Sequence, residues 1–160
     1  MNNIGLKMIM NIINFIFKDL YSDSIEKWKI KVKIDYKSSF RTNFEGVDYI
    51  IIYLTIFNKN EFELKKISFN SEPFYELIDN FYKPYNNKPG DIPIIGFHKL
   101  VSNSFGVKPI KVDKKDNETG ALIFKISTSE SKIEELVITY NTIVLKRKID
   151  NDKLIYKKLE

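Results

Sequence analysis

Few side chains in this chain could do chemistry, and their spacing argues against most of it. His98 is the single histidine, set in Gly96-Phe97-His98. A nucleophile paired with a base would have to be built around that one imidazole. Its apolar setting reads instead as a packed or surface histidine. The chain has no cysteine. With one imidazole and no thiolate, zinc and other borderline metals lack a donor set. Oxygen donors do crowd together at Asp113, Asp116, Asn117 and Glu118, which is the chemistry calcium requires. Lys114 and Lys115 interrupt that run, so it reads as a solvated polar turn. Glu134 and Glu135 are adjacent, and on a strand they point to opposite faces, so they cannot flank a glycosidic bond. Neither GxGxxG nor GxxxxGK[ST] occurs, so phosphate loops of those kinds are missing. The expectation is a protein with no enzymatic activity, no cofactor and no metal.

Two groups of residues suggest binding instead. Lys27, Lys29, Lys31 and Lys33 alternate with Trp28, Ile30, Val32 and Ile34, forming a candidate basic face. Such a row could meet phosphates or acidic lipid, or it could simply guard a strand edge against aggregation. Phe74, Tyr75, Phe81, Tyr82 and Tyr85 crowd one short stretch. Aromatic side chains are favoured at interface hot spots, so these five are the candidate partner-binding residues. The competing reading is that they close one end of the core.

The elements that must carry these residues follow from periodicity. At 160 residues the chain has the length of one domain with an appendage. Apolar residues are 43% and aromatics 14%, enough for a core. The net charge is +5 and comes mostly from lysine, with Arg41 and Arg147 the arginines, whereas base recognition favours arginine. Residues 4–21 read as a helix, with Lys7, Asn11, Asn14 and Lys18 on one stripe and Ile9, Ile12, Ile13, Ile16 and Leu20 opposite. It could pack on the domain, dock on a partner or membrane surface, or act as a targeting segment. No A-x-A-like cleavage site follows it, and its apolar run is too short and interrupted to span a bilayer.

Lys27–Tyr36 alternates strictly and predicts a strand with one wet face. Ser38–Gly46 reads as a loop or hairpin connection. Asp48–Phe57 is apolar on both alternating faces, as in a strand covered on two sides. Phe62–Asn70 reads as its neighbour across the polar Asn58-Lys59-Asn60 break. Pro73–Tyr82 reads as a short helix, with Phe74, Leu77, Ile78 and Phe81 sharing a face and proline tolerated at its start. Residues 83–91 read as a loop. Ile92–Val101 and Val107–Val112 read as strands demoted to edges by Pro93 and Pro109. Asp113–Gly120 and Ser129–Lys132 read as turns. Ala121–Ser127, Ile133–Tyr140 and Ile143–Ile149 read as strands, and 153–159 as a last short strand or tail. About seven to nine strands with no helix between successive ones favour an antiparallel sandwich.

The alternating strand Trp28–Tyr36, the strand-turn-strand Tyr49–Phe69, the Ile92-Pro93 segment and the Gly120–Phe124 strand together resemble small immunoglobulin-like β-sandwich proteins of bacteria and phages. The resemblance covers residues 27–150. It lacks the cysteine pair of antibody domains and their tryptophan on the third strand. It implies an immunoglobulin-like antiparallel β-sandwich, with residues 1–22 as an amphipathic helix and 151–160 as a tail or short strand. It also implies a protein-binding or accessory role, since such sandwiches mostly present loops or edges to a partner. The alternative is a binder of nucleic acid or of an acidic membrane surface through the lysine face, and homodimerisation through the helix is a third outcome. The cysteine-free composition fits a reducing compartment and so the cytoplasm, or a membrane-peripheral place held by the helix.

Overall fold

The structure is a computed structural model that describes residues 5–14, 30–72, 75–83, 90, 92, 94–102, 109–127 and 132–159. Helix α1 spans 5–14. Nine strands follow: β1 (Ile30–Phe44), β2 (Val47–Asn58), β3 (Leu64–Glu72), β4 (Glu76–Tyr82), β5 (Ile110–Val112), β6 (Asn117–Ile126), β7 (Glu135–Tyr140), β8 (Ile143–Lys148) and β9 (Ile155–Tyr156). Helix α2 (Ile94–Ser102) lies between β4 and β5, and a 3-10 turn (Asn151–Lys153) precedes β9. The chain is mainly β. One sheet has the order β4-β6-β2-β1-β9 and the other β5-β3-β7-β8. Every pairing is antiparallel except that of β1 with β9.

β2 lies in the middle of the larger sheet, and its sequence explains why. Ile50, Ile52, Leu54 and Ile56 point into a core shared with the second sheet, against Leu64, Ile67, Leu136 and Ile138. Tyr49, Ile51 and Tyr53 alternate with them and point the other way, into a second cluster with Phe97 of α2, Ile92 and Leu159. The strand is therefore covered on both faces, as its unbroken apolar run predicts. β6 does the same, with Leu122 and Phe124 on one side and Ala121 and Ile123 on the other. The larger sheet is the middle layer between the smaller sheet and a cover made partly by α2.

β1 reaches the second cluster by changing faces. Ile30, Val32, Ile34 and Tyr36 belong to the inter-sheet core, whereas Phe40 belongs to the α2 side. Asp35 pairs with Tyr53, yet Phe40 is the residue that pairs with Ile51, where an unbroken ladder would place Lys37. Extra residues in the bulge invert the in–out alternation. Asp35 ties the bulge together: its carboxylate accepts from the Lys37 amide at 3.1 Å and the Ser38 hydroxyl at 2.7 Å. Ser39 bridges the gap in the ladder. Its buried hydroxyl donates to the Asp35 carbonyl at 2.6 Å and accepts from the Tyr53 amide at 2.9 Å. Ser39→Ala strands both backbone groups away from water. It should lower stability by about 1–3 kcal/mol, read as a drop in the urea midpoint at unchanged slope. A loss under 0.5 kcal/mol would contradict the bridge.

Several expectations need correction. Ser38–Gly46 is not mainly a loop, because the bulge lets β1 run on to Phe44, and the turn shrinks to Glu45 and Gly46 at φ 50° and 80°. Two successive positive φ values are the geometry of a tight hairpin turn, and glycine meets the second at no steric cost. The described part of Pro73–Tyr82 is not a helix: β4 pairs with β6 through a register that slips twice, between Leu77 and Asp79 and between Asp79 and Tyr82. Plain strand alternation sends Leu77 and Phe81 to the inter-sheet core and Ile78 and Tyr82 to the α2 side, so residues with helix-like spacing divide between two faces. Ile92–Val101 is helical from Ile94 onward. Phe97, Leu100 and Val101 stand at three- and four-residue spacing and all pack on the second cluster. The polar turn at 113–120 is shorter than expected, since β6 starts at Asn117.

The C-terminus is fastened on both sides of the larger sheet. Leu154 is buried in the inter-sheet core and Leu159 in the α2-side cluster. Between them the Lys157 amide donates to the Arg41 carbonyl at 2.8 Å, and its ammonium donates to the Gly90 carbonyl at 2.6 Å.

Candidate functional site

The lysine face is half described. Lys27, Lys29 and Trp28 lie outside the described residues. Lys31 and Lys33 are exposed on β1, opposite Phe57 and Thr55 of β2. Neither makes an ion pair among the described residues, whereas other surface lysines do. Lys111 pairs with Glu63, Lys83 with Glu118, Lys125 with Glu76 and Lys153 with Asp150. The pairing shows in titration. The Lys111 hydrogen bond holds Glu63 below the usual carboxylate range, and the Lys153 ammonium does the same to Asp150.

The aromatic segment is also partly described. Phe74 and Tyr85 lie outside the described residues. Tyr75, Phe81 and Tyr82 lie on edge strand β4 and its approach, each half-buried, with Tyr82 on the opposite face from the other two. Phe81 stacks on Phe69 with ring centroids 6.1 Å apart and planes 8° from parallel. Tyr75 packs on the inter-sheet core and its hydroxyl donates to the Lys132 carbonyl at 2.9 Å. A Cβ on Gly120 would stand 2.9 Å from both the Phe81 ring and the Tyr82 carbonyl, so β4 is seated tightly on β6. These three rings mainly cover the core and leave only their edges to a partner.

The chemistry-bearing residues are dispersed. His98 is exposed on α2, with its ring 6.1 Å from Phe44 and its Nδ1 3.5 Å from the Ser102 hydroxyl. Asp116 accepts the Asn117 amide at 2.8 Å, and Glu118 pairs with Lys83. Glu135 holds Lys146 from β7, while Glu134 precedes that strand. Among the described residues, no group of three or more histidine, cysteine, aspartate or glutamate side chains comes together as a metal-binding set.

The polar break after β2 performs a structural task that composition alone does not reveal. Asn58 is buried, and its amide nitrogen donates to the carbonyls of Phe62 at 3.1 Å and Asp113 at 2.7 Å. Its side-chain oxygen accepts the Asn60 amide at 2.9 Å. The backbone adds two links, Asn58 N–H to Asp116 O at 2.8 Å and Lys115 N–H to Asn60 O at 3.0 Å. The loops 58–63 and 113–116 are one polar knot, joined through backbone groups of Asp113, Lys115 and Asp116.

Sequence reasoning missed the surface that the topology leaves open. β8 pairs with β7 in an unbroken register from Tyr140↔Ile143 to Glu135↔Lys148, and it is the last strand of its sheet. Val144, Lys146 and Lys148 are exposed along it, and Val144 retains 45% of its surface. The period-2 pattern of Ile143–Lys148 carries a signal for a strand, but edge position is a property of sheet order. The second open surface is α1, every residue of which is exposed.

Fold and surfaces together define a two-sheet β domain with an exposed apolar helix and, among the described residues, an open strand edge and two lysines without an ion pair. No protein-family model, curated protein or solved structure matches the chain.

Proposed function

We propose that this chain is a non-enzymatic protein-binding or accessory module of immunoglobulin-like type, and that its protein partner adds a strand to the open edge of β8. The strand order supports the type. β1-β2-β6-β4 corresponds to strands A, B, E and D of an immunoglobulin sandwich, and β3-β7-β8 to C, F and G. The chain departs from that plan in β5 beside β3, in the parallel β9, and in α2 on the outer face of the larger sheet.

The observation that carries the binding reading is the regular six-residue pairing of β8, on one side only among the described residues. An unbulged edge offers a row of backbone donors and acceptors to an extended peptide. Arg147 and Lys148 repel a second copy of the same edge and favour a strand that carries acidic residues, whereas Lys146 is paired with Glu72 and Glu135. Tyr75 and Phe81 on one face of the β4 edge and Tyr82 on the other expose part of their rings and offer secondary contacts to the same partner class.

A second reading rests on Lys31 and Lys33, exposed without an ion pair among the described residues. It is the binding of nucleic acid or an acidic membrane surface. Purification of the tagged chain from its native host at physiological salt separates the two, with Val144→Lys as the comparison. A stoichiometric protein held by the wild type and lost from Val144→Lys is the expected result. A partner that ignores the substitution would remove the β8 edge from the account. Nucleic acid that leaves steeply as salt rises would carry the second reading instead.

A further inference from the structure

We propose that α1 is an interfacial anchor that seats the module on an anionic lipid bilayer, independently of the β8 edge. The helix is unusual in how much of it is apolar. Leu6, Met8, Ile9, Met10, Ile12 and Ile13 are all exposed, from 43% at Ile13 to 67% at Leu6. At 3.6 residues per turn they occupy about 200° of the circumference. Lys7, Asn11 and Asn14 fill a narrow stripe opposite.

The width of that arc selects the occupant. A protein groove takes a stripe at i, i+3, i+4 and i+7, and a helix-pair seam is narrower still. Either would leave large apolar side chains of α1 in water. A bilayer interface accepts the whole arc and leaves the polar stripe among the headgroups. Charge points the same way. Residues 5–14 hold a lysine and no acidic residue, and the chain carries a net +5. Lys31 and Lys33 are exposed and free of ion pairs among the described residues. Juxtamembrane lysines each add roughly 1 kcal/mol of attraction to an anionic leaflet.

The polar stripe decides the orientation. Lys7, Asn11 and Asn14 run along one side of the described turns of α1, so those turns lie in the interface plane with the stripe toward the headgroups. Among the described residues no helix is long and apolar enough to cross a membrane.

The test is co-sedimentation of the full chain with phosphatidylcholine vesicles, with and without an equal part of phosphatidylglycerol, compared with the double variant Ile9→Asp/Ile12→Asp. Expected is sedimentation with the anionic vesicles, about tenfold weaker with the neutral ones as befits one or two lysine contacts. The double variant should stay in the supernatant with an unchanged melting temperature, because α1 contributes nothing to the core. Three results would overturn the proposal. One is no sedimentation of the wild type. Another is sedimentation that the double variant retains. The third is a wild-type dimer in sedimentation velocity that the double variant dissolves, with no vesicle binding, which would make the occupant a second copy of this chain.

Discussion

Phe97→Ala should be the most damaging single truncation on the helical side of the larger sheet, lowering stability by about 3–5 kcal/mol. Phe97 is fully buried and is the anchor of α2. Its ring meets Phe44 edge-on at 5.2 Å and Tyr49 at 5.1 Å, and such aromatic pairs add to the burial term. The cavity would open between a helix and a sheet whose central strand cannot move, because its other face is locked into the inter-sheet core. Urea unfolding measures it directly. A loss below 1 kcal/mol would mean that α2 does not cover the sheet. Phe97→Leu should recover more than half of the loss, since it refills most of the volume.

Asn58→Ala should cost about 2–4 kcal/mol, from a residue that looks like ordinary turn polarity. The substitution removes the donor for the Phe62 and Asp113 carbonyls and the acceptor for the Asn60 amide. Buried groups left without partners cost roughly 1–3 kcal/mol each, moderated where water can enter. Asn58→Asp is the sharper probe. It keeps the acceptor and the size but replaces the donating amide with a charge facing two carbonyls, so it should be at least as damaging as alanine. Equality of both variants with the wild type would show that the knot between loops 58–63 and 113–116 is not needed.

The central strands were legible because burial writes directly into their residues. The run Tyr49–Phe57 is apolar at consecutive positions, and a strand can afford that only with cover on both faces. The alternation of Ile30–Ile34 with lysines marked a half-wet strand for the opposite reason. The hairpin of β7 and β8 could be placed from Asn141, which sits at φ 51°. Errors fell where spacing supports two structures. Leu77, Ile78 and Phe81 have helical spacing, but strand alternation divides them between the two faces of an edge strand. Ile94–Val101 is apolar enough for a strand, and its helical periodicity rests on Phe97, Leu100 and Val101. Pro93 directly ahead of it suits a helix start as well as a strand edge.

The candidate surfaces were legible in part. Lys31 and Lys33 could be read as exposed from alternation alone, but their freedom from ion pairs depends on where the glutamates fall in three dimensions. Tyr75, Phe81 and Tyr82 could be read as clustered, though not as largely spent on the core. The open edge of β8 could not be read at all, because sheet order is set by long-range pairing and leaves no mark on the strand's own sequence. The helix was legible in type. Its exposure was not, since a wide apolar face is equally what a buried helix shows.

Amide hydrogen exchange on the free chain tests the central claim most directly: a middle sheet covered on both faces, beside a helix that packs on neither. The account predicts that the amides of Ile50–Ile56 and Ala121–Phe124 exchange only through global unfolding. It predicts that those of 5–14 exchange orders of magnitude faster, as in a helix whose described residues are all exposed. Protection of 5–14 equal to that of β2 would contradict it, because α1 would then be part of the core and unable to serve as a docking surface.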